Sequence, residues 1–289
     1  MGEKEGAPGA LAALGKWCLS LKGATATFVT ATALTAGVAW QAGGPREEIV
    51  NSVGMPLRLI PGGTFLMGSQ PDETGREDDE PLPHLVTVEP FYMGVYEVRA
   101  VDYRPFVEET GPEHRPEMWP SHFDPNDSRR MIYPNVAVAD LTWRDAAAHC
   151  EWLSEREGVT HSLPTEAQWE CACRAGATTA WSFGDIFDPA LALVGIQGEM
   201  PPGHTGDVGF FPPNAFGLYD MHGNVAEMCS DPFMAAHRAD DEQRTDESWA
   251  LRGGSWHTPI DHSRAGARCS FFDGERAYDV GFRVVRAVE

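Results

Sequence analysis

NAFGLYDMHGNVAE, residues 214–227, follows neither the 3.6-residue period of a helix nor the two-residue period of a strand. Asp220 and Glu227 bracket Gly223 and Asn224, which permit a tight turn between them. Such a turn aims the backbone carbonyls of Gly223 and Val225 at the point where the two carboxylates converge. An all-oxygen set of this kind suits a hard cation such as Ca²⁺. On spacing alone, the ordinary alternative is an acidic loop beside glycines. The whole second half reads the same way: from residue 177 to residue 289 there is no long periodic run, so short strands and ordered loops must carry it.

Periodicity returns upstream. Thr142 is placed to cap a helix whose buried face is Trp143, Ala146, Ala147, Cys150 and Leu153, with Gly158 at its end. LPTEAQWECACRAG, residues 163–176, opens a second helix through a Thr165/Gln168 capping box, buries Trp169, Ala172 and Cys173, and closes at Gly176. Tyr103, Phe106 and Val107 suggest a shorter helix, and Pro105 within that stripe predicts a late start or a kink. Leu57–Ile60, a Pro61-Gly62-Gly63 turn and Thr64–Met67 read as the entry to a hairpin. Residues 85–88 alternate as a strand, with residues 91–96 as the expected partner.

Composition sets the outer limits. The chain has 289 residues, 42% of them hydrophobic, with 30 Gly, 22 Pro and 9 Trp. That mix predicts a core of large aromatics beneath long irregular connections, in one large domain or two small ones. The net charge of −21 opposes phosphate backbones, so a nucleic-acid partner is excluded. The acidic run DETGREDDE, residues 72–80, reads as a solvated loop. At the N-terminus, Lys4, Lys16 and Lys22 precede an uncharged Ala/Thr-rich stretch, residues 24–42. A secretory signal or membrane anchor, with residues 1–45 as segment and linker and the domain outside the cytoplasm, is the expectation. The six cysteines show no zinc spacing. Export permits disulfides, and buried free thiols are an equal reading for Cys150 and Cys173.

Five motifs occur in a fixed order: NSVGM with IPGGTFLMGS (residues 51–55 and 60–69), LPTEAQWECACRAG, NAFGLYDMHGNVAE, RGGSW (252–256) and GFR (281–283). Together they resemble the formylglycine-generating enzyme, or sulfatase-modifying factor, family over residues 46–289. The resemblance implies an irregular, loop-rich α+β fold related to C-type lectins. It also implies the family activity, oxidation of a sulfatase cysteine to formylglycine by O₂ and a copper ion held by two thiolates. Residue by residue, it implies calcium at Asp220, Gly223, Val225 and Glu227, and an active-site edge at Ser255. Arg264, Arg268 and Arg283 match arginines of structural character.

This sequence departs from the family at its chemical centre. Catalytic members carry two cysteines, five apart, shortly after the GGS; here WHTPIDHS, residues 256–263, has none, and Cys269 stands alone beyond it. Two soft ligands are required for linear copper(I). Ala226 and Met228 also replace the two tryptophans of the usual GNxWEW, the first of which lines the active site in catalytic members. His257 and His262, beside Asp261, are weak candidates for another metal centre, and no third ligand can be named for copper or iron. The expectation is therefore a calcium-stabilised module whose rim, residues 252–283, binds a protein or small-molecule ligand, possibly a sulfatase. The alternative is an oxidoreductase of the family working through unidentified ligands.

Overall fold

A computed structural model describes residues 47–116, 135–195, 205–233 and 248–289. The signal or anchor expected before residue 46 lies outside them. Among the described residues no helix is long and apolar enough to cross a membrane.

The architecture is α+β and loop-rich, as expected. Strands β1 (Glu48–Val50), β2 (Pro56–Ile60), β5 (Phe91–Gly94), β11 (Val285–Ala287) and β6 (His161–Ser162) form one sheet in the order β1-β2-β5-β11-β6. A second sheet has the order β10-β7-β8-β9, from β7 (Ala226–Pro232), β8 (Ser248–Arg252), β9 (Cys269–Phe272) and β10 (Val280–Gly281). β3 (Gly63–Met67) and β4 (His84–Val88) make a separate pair.

Two expected hairpins are corrected here. β2 does not fold back on β3, nor β4 on β5. Instead β2 pairs with β5 (Ile60↔Phe91) and β3 with β4 (Gly63↔Val88), antiparallel throughout and with no shift of register across the break. The four strands are one long ribbon, bent where Pro61-Gly62 lies against Glu89-Pro90. A Cβ on Gly62 would stand 2.5 Å from the Pro90 ring, so only glycine lets the two chains pass there.

Three helices pack onto this frame. α2 (Trp143–Glu157) has its Thr142 cap, with the Thr142 side chain accepting from the Asp145 N–H and Gly158 left-handed at φ 69°. α3 (Glu166–Arg174) has the Thr165/Gln168 capping box, but Ala175, at φ 47°, ends it one residue before Gly176. α1 (Ala100–Thr110) runs through Pro105 and starts early. Tyr103 and Phe106, 0% and 1% exposed, anchor it on both sides of the proline, and burial outweighs the missing hydrogen bond.

The core has two parts. One gathers Tyr103, Phe106, Leu141, Leu153, Met228 and Phe282; the other gathers Ile60, Phe91, Met93, Trp169, Leu218 and Met221. Residues 282–285 serve both, since Phe282 and Val284 belong to the first and Val285 to the second. Arg283 therefore lies at the seam.

Candidate functional site

Arg283 is fully buried, and its guanidinium organises the loop of residues 214–227. It donates to the carbonyls of Gly94, Val95 and Tyr219 and to Glu227 Oε1 at 2.8 Å. Glu227 Oε2 accepts from Trp169 Nε1 at 2.9 Å. Both Glu227 oxygens are thus in use. Two further carboxylates face the same guanidinium. Asp220 accepts from the Gly209 N–H at 2.6 Å, and Glu97 Oε1 accepts from Asn224 Nδ2 at 3.0 Å. Glu97 Oε2 is buried without a hydrogen bond, 3.9 Å from Arg283.

Three carboxylates thus face one guanidinium, with Glu97 and Glu227 fully buried and Asp220 half-buried. Burial, reinforced by the charges of Asp220 and Glu227, raises Glu97 well above the usual carboxylate range against the opposing pull of Arg283. Burial likewise pushes Asp220 up to about 6, against the Gly209 N–H and Arg283. Asp220 and Asn224 both hold left-handed backbone, at φ 57° and 59°, which is uncommon outside glycine. Excess buried negative charge, hard oxygen donors and an orphaned Glu97 oxygen fit a calcium ion. Asp220, Glu227 and the Gly223 and Val225 carbonyls would hold it with Glu97 beside them, since the Glu227 oxygens keep lone pairs beyond those accepting from Arg283 and Trp169. Among the described residues, no three His, Cys, Asp or Glu side chains close on one point as a ready-made cluster.

Glu97 was missed by sequence reasoning. It lies three residues beyond the end of β5, in a stretch where residues 91–95, 97 and 98 are all buried, and its burial among charges distant in sequence is a tertiary fact.

The RGGSW segment forms a separate wall. Arg252 is buried and donates to Glu170 and to the carbonyls of Ala265, Gly266 and Ala267. Gly254 is left-handed at φ 64°, and a Cβ there would meet the His262 backbone at 2.9 Å. Ser255 is fully buried; its Oγ donates to Asp279 at 2.6 Å and accepts from the His257 and Thr258 N–H groups, both at 3.2 Å. No imidazole accepts its proton, so it is not set up as an activated nucleophile.

The two histidines point to different neighbours. His257 packs between Trp256 and Tyr278, with ring centroids 5.3 and 5.5 Å away. His262 Nε2 faces Glu77 at 3.8 Å. The acidic run is solvated at Asp72, Glu77 and Asp78, but not where it meets the core: Glu80 is 1% exposed, and with Glu73 it grips the buried Arg264 at 2.5 and 2.7 Å. A cation with no water around it drew these acids inward.

The donor set for thiolate copper does not fit. Cys150, Cys171, Cys173 and Cys229 are free and buried. Burial raises all four thiols, Cys171 to about 12, which disfavours the thiolate. Among the described cysteines, Cys269 alone is exposed.

Residues 51–288 match the Sulfatase-modifying factor enzyme 1-like domain, so the chain belongs to that family. The mouse "Formylglycine-generating enzyme" is 31% identical over 228 residues, covering 63% of this chain and 59% of its own length. The chain thus spans less than two thirds of that enzyme. The mouse "Inactive C-alpha-formylglycine-generating enzyme 2" is 28% identical over 269 residues, covering 78% of this chain and 82% of that protein. In three dimensions, PvdO from Pseudomonas aeruginosa superposes with a TM-score of 0.72 at 28% identity, over 85% of this chain and 99% of that one.

Proposed function

We propose that this domain is a calcium-stabilised binding module of the sulfatase-modifying factor family, without the copper-thiolate chemistry that forms formylglycine. The observation that carries the reading is the loop after Ser255. Where catalytic members place two thiolates, residues 256–263 hold no cysteine, and the Ser255 hydroxyl is tied to Asp279. Its ligand is a protein or small molecule, a sulfatase among the candidates, and export by residues 24–42 belongs to the same proposal. The similarity to a mouse relative named as inactive supports this reading.

The full-length chain tests both halves. Calcium at about 100 times its dissociation constant should add about 2.7 kcal/mol. For a domain of this size, that raises the melting temperature by about 5–10 °C. Asp220→Asn combined with Glu97→Gln should abolish the rise; an unchanged rise sinks the calcium site. A sulfatase-motif cysteine peptide supplied with copper should elicit no oxygen uptake. Uptake that disappears on replacing His257 and His262 with alanine would establish the oxidoreductase instead.

A further inference from the structure

Beneath the RGGSW wall lies a cavity of about 180 Å³ on the face of the β7–β8–β9 sheet. Its apolar lining includes Ala226, Leu251, Phe271, Ala277 and Val280, and its polar lining includes Asp279, Glu275 and Cys269. Ala226 occupies the position where the family resemblance places a tryptophan, and an indole there would fill this space.

The charges around the cavity are one-sided. Both arginines in its lining are already neutralised: Arg252 by Glu170, and Arg268 by Glu166 through its Nε at 3.0 Å and a second bond. Asp279 uses one oxygen on Ser255, and Glu275 is exposed. At Cys269, burial raises the thiol, and the carboxylates of Glu77, Asp79 and Glu275 push it the same way. An apolar floor with carboxylates above it matches one occupant: an aliphatic stem ending in a compact cation.

We infer that this cavity is a docking pocket for a lysine side chain of a partner polypeptide, its methylenes over Ala226 and Val280 and its ammonium between Asp279 and Glu275. The inference rests on the reading of the domain as a binding module, and names what the rim recognises. Lysine suits it better than arginine, because a point charge needs no planar fork of acceptors. The net charge of −21 favours the approach of a basic partner.

Cys269 supplies the readout. In the full chain with calcium present, iodoacetamide alkylation of the Cys269 peptide is followed by mass spectrometry. Nα-acetyl-lysine methylamide at millimolar concentration should slow alkylation at least about threefold, while the norleucine and glutamate analogues leave the rate unchanged. Ala226→Trp should remove the protection. Without any variant, a cationic methanethiosulfonate should react about tenfold faster than its anionic counterpart, and Glu275→Gln should shrink that ratio. Equal protection by norleucine, or none by lysine, overturns the pocket assignment. Either result leaves the calcium-dependent melting shift intact, so failure of the pocket and failure of the module reading are told apart.

Discussion

Arg283 shows how much one side chain can hold in a fold with little regular structure. It satisfies three carbonyls and one carboxylate, and it is the counter-charge for Glu97, Asp220 and Glu227. Arg283→Met leaves those groups buried without it. A loss of about 3–5 kcal/mol is expected, read from the urea midpoint at neutral pH. Arg144→Met is the comparison. Arg144 is 77% exposed and pairs with Asp273, so its loss should cost no more than about 1 kcal/mol. A similar cost for both variants would show that the buried arginine is not the keystone. At this scale the sequence revealed the types of the site residues and not their partners. Asp220 and Glu227 were identifiable as oxygen donors from the turn between them. That Glu227 pairs with Arg283, 56 residues away, follows only from the tertiary fold.

Elements were legible in proportion to how local their causes are. The start and end of α2 were predicted because its cap, Thr142, and its stop, Gly158, act within one turn. Removing that cap by Thr142→Ala should destabilise the domain by about 1 kcal/mol, with the midpoint of unfolding as the measure. Asp145 complicates nothing here, since its own bonds to Thr142 are part of the same cap. Pairing of strands was not legible. Alternation in residues 85–88 shows that they form a strand, while the choice between neighbours depends on a bend made by Gly62 and Pro90. Within the acidic run, Glu73 and Glu80 departed from the expected exposure for a related reason. Charge predicts exposure unless an opposite charge is buried nearby, and Arg264 lies 184 residues from Glu80 in sequence.

Over the whole molecule, three buried histidines, His149, His161 and His222, cost stability in acid, while the raised carboxyls of Glu97 and Asp220 act in the opposite sense. His149 sits among Tyr103, Phe106, Trp152 and Phe282, and burial lowers it to about 3. Burial lowers His222 to about 4, even though its Nδ1 bonds the Ser263 carbonyl at 2.7 Å. Both folded values lie below the unfolded value of about 6.5. The unfolded chain therefore binds more protons between these limits. The histidine contribution is fully present above about pH 6.5 and falls as pH drops toward 4, by about 1.4 kcal/mol per unit for each histidine. His149→Leu should flatten that slope by one histidine's share in urea titrations at pH 6, 5 and 4.5; an unchanged slope would refute its assignment.

One placement carries a temporal consequence. β11, residues 285–287, is not an edge strand but lies between β5 and β6, and Arg283 precedes it by two positions. A ribosome must therefore finish almost the whole of this domain before its first sheet can close or its buried acids can meet their guanidinium. Until then the nascent chain has a gap in the middle of the sheet. Contacts this distant in sequence make closure slow, and during that interval β5, paired with β2 on one side only, keeps an open edge that chaperones, or a second nascent copy, can reach.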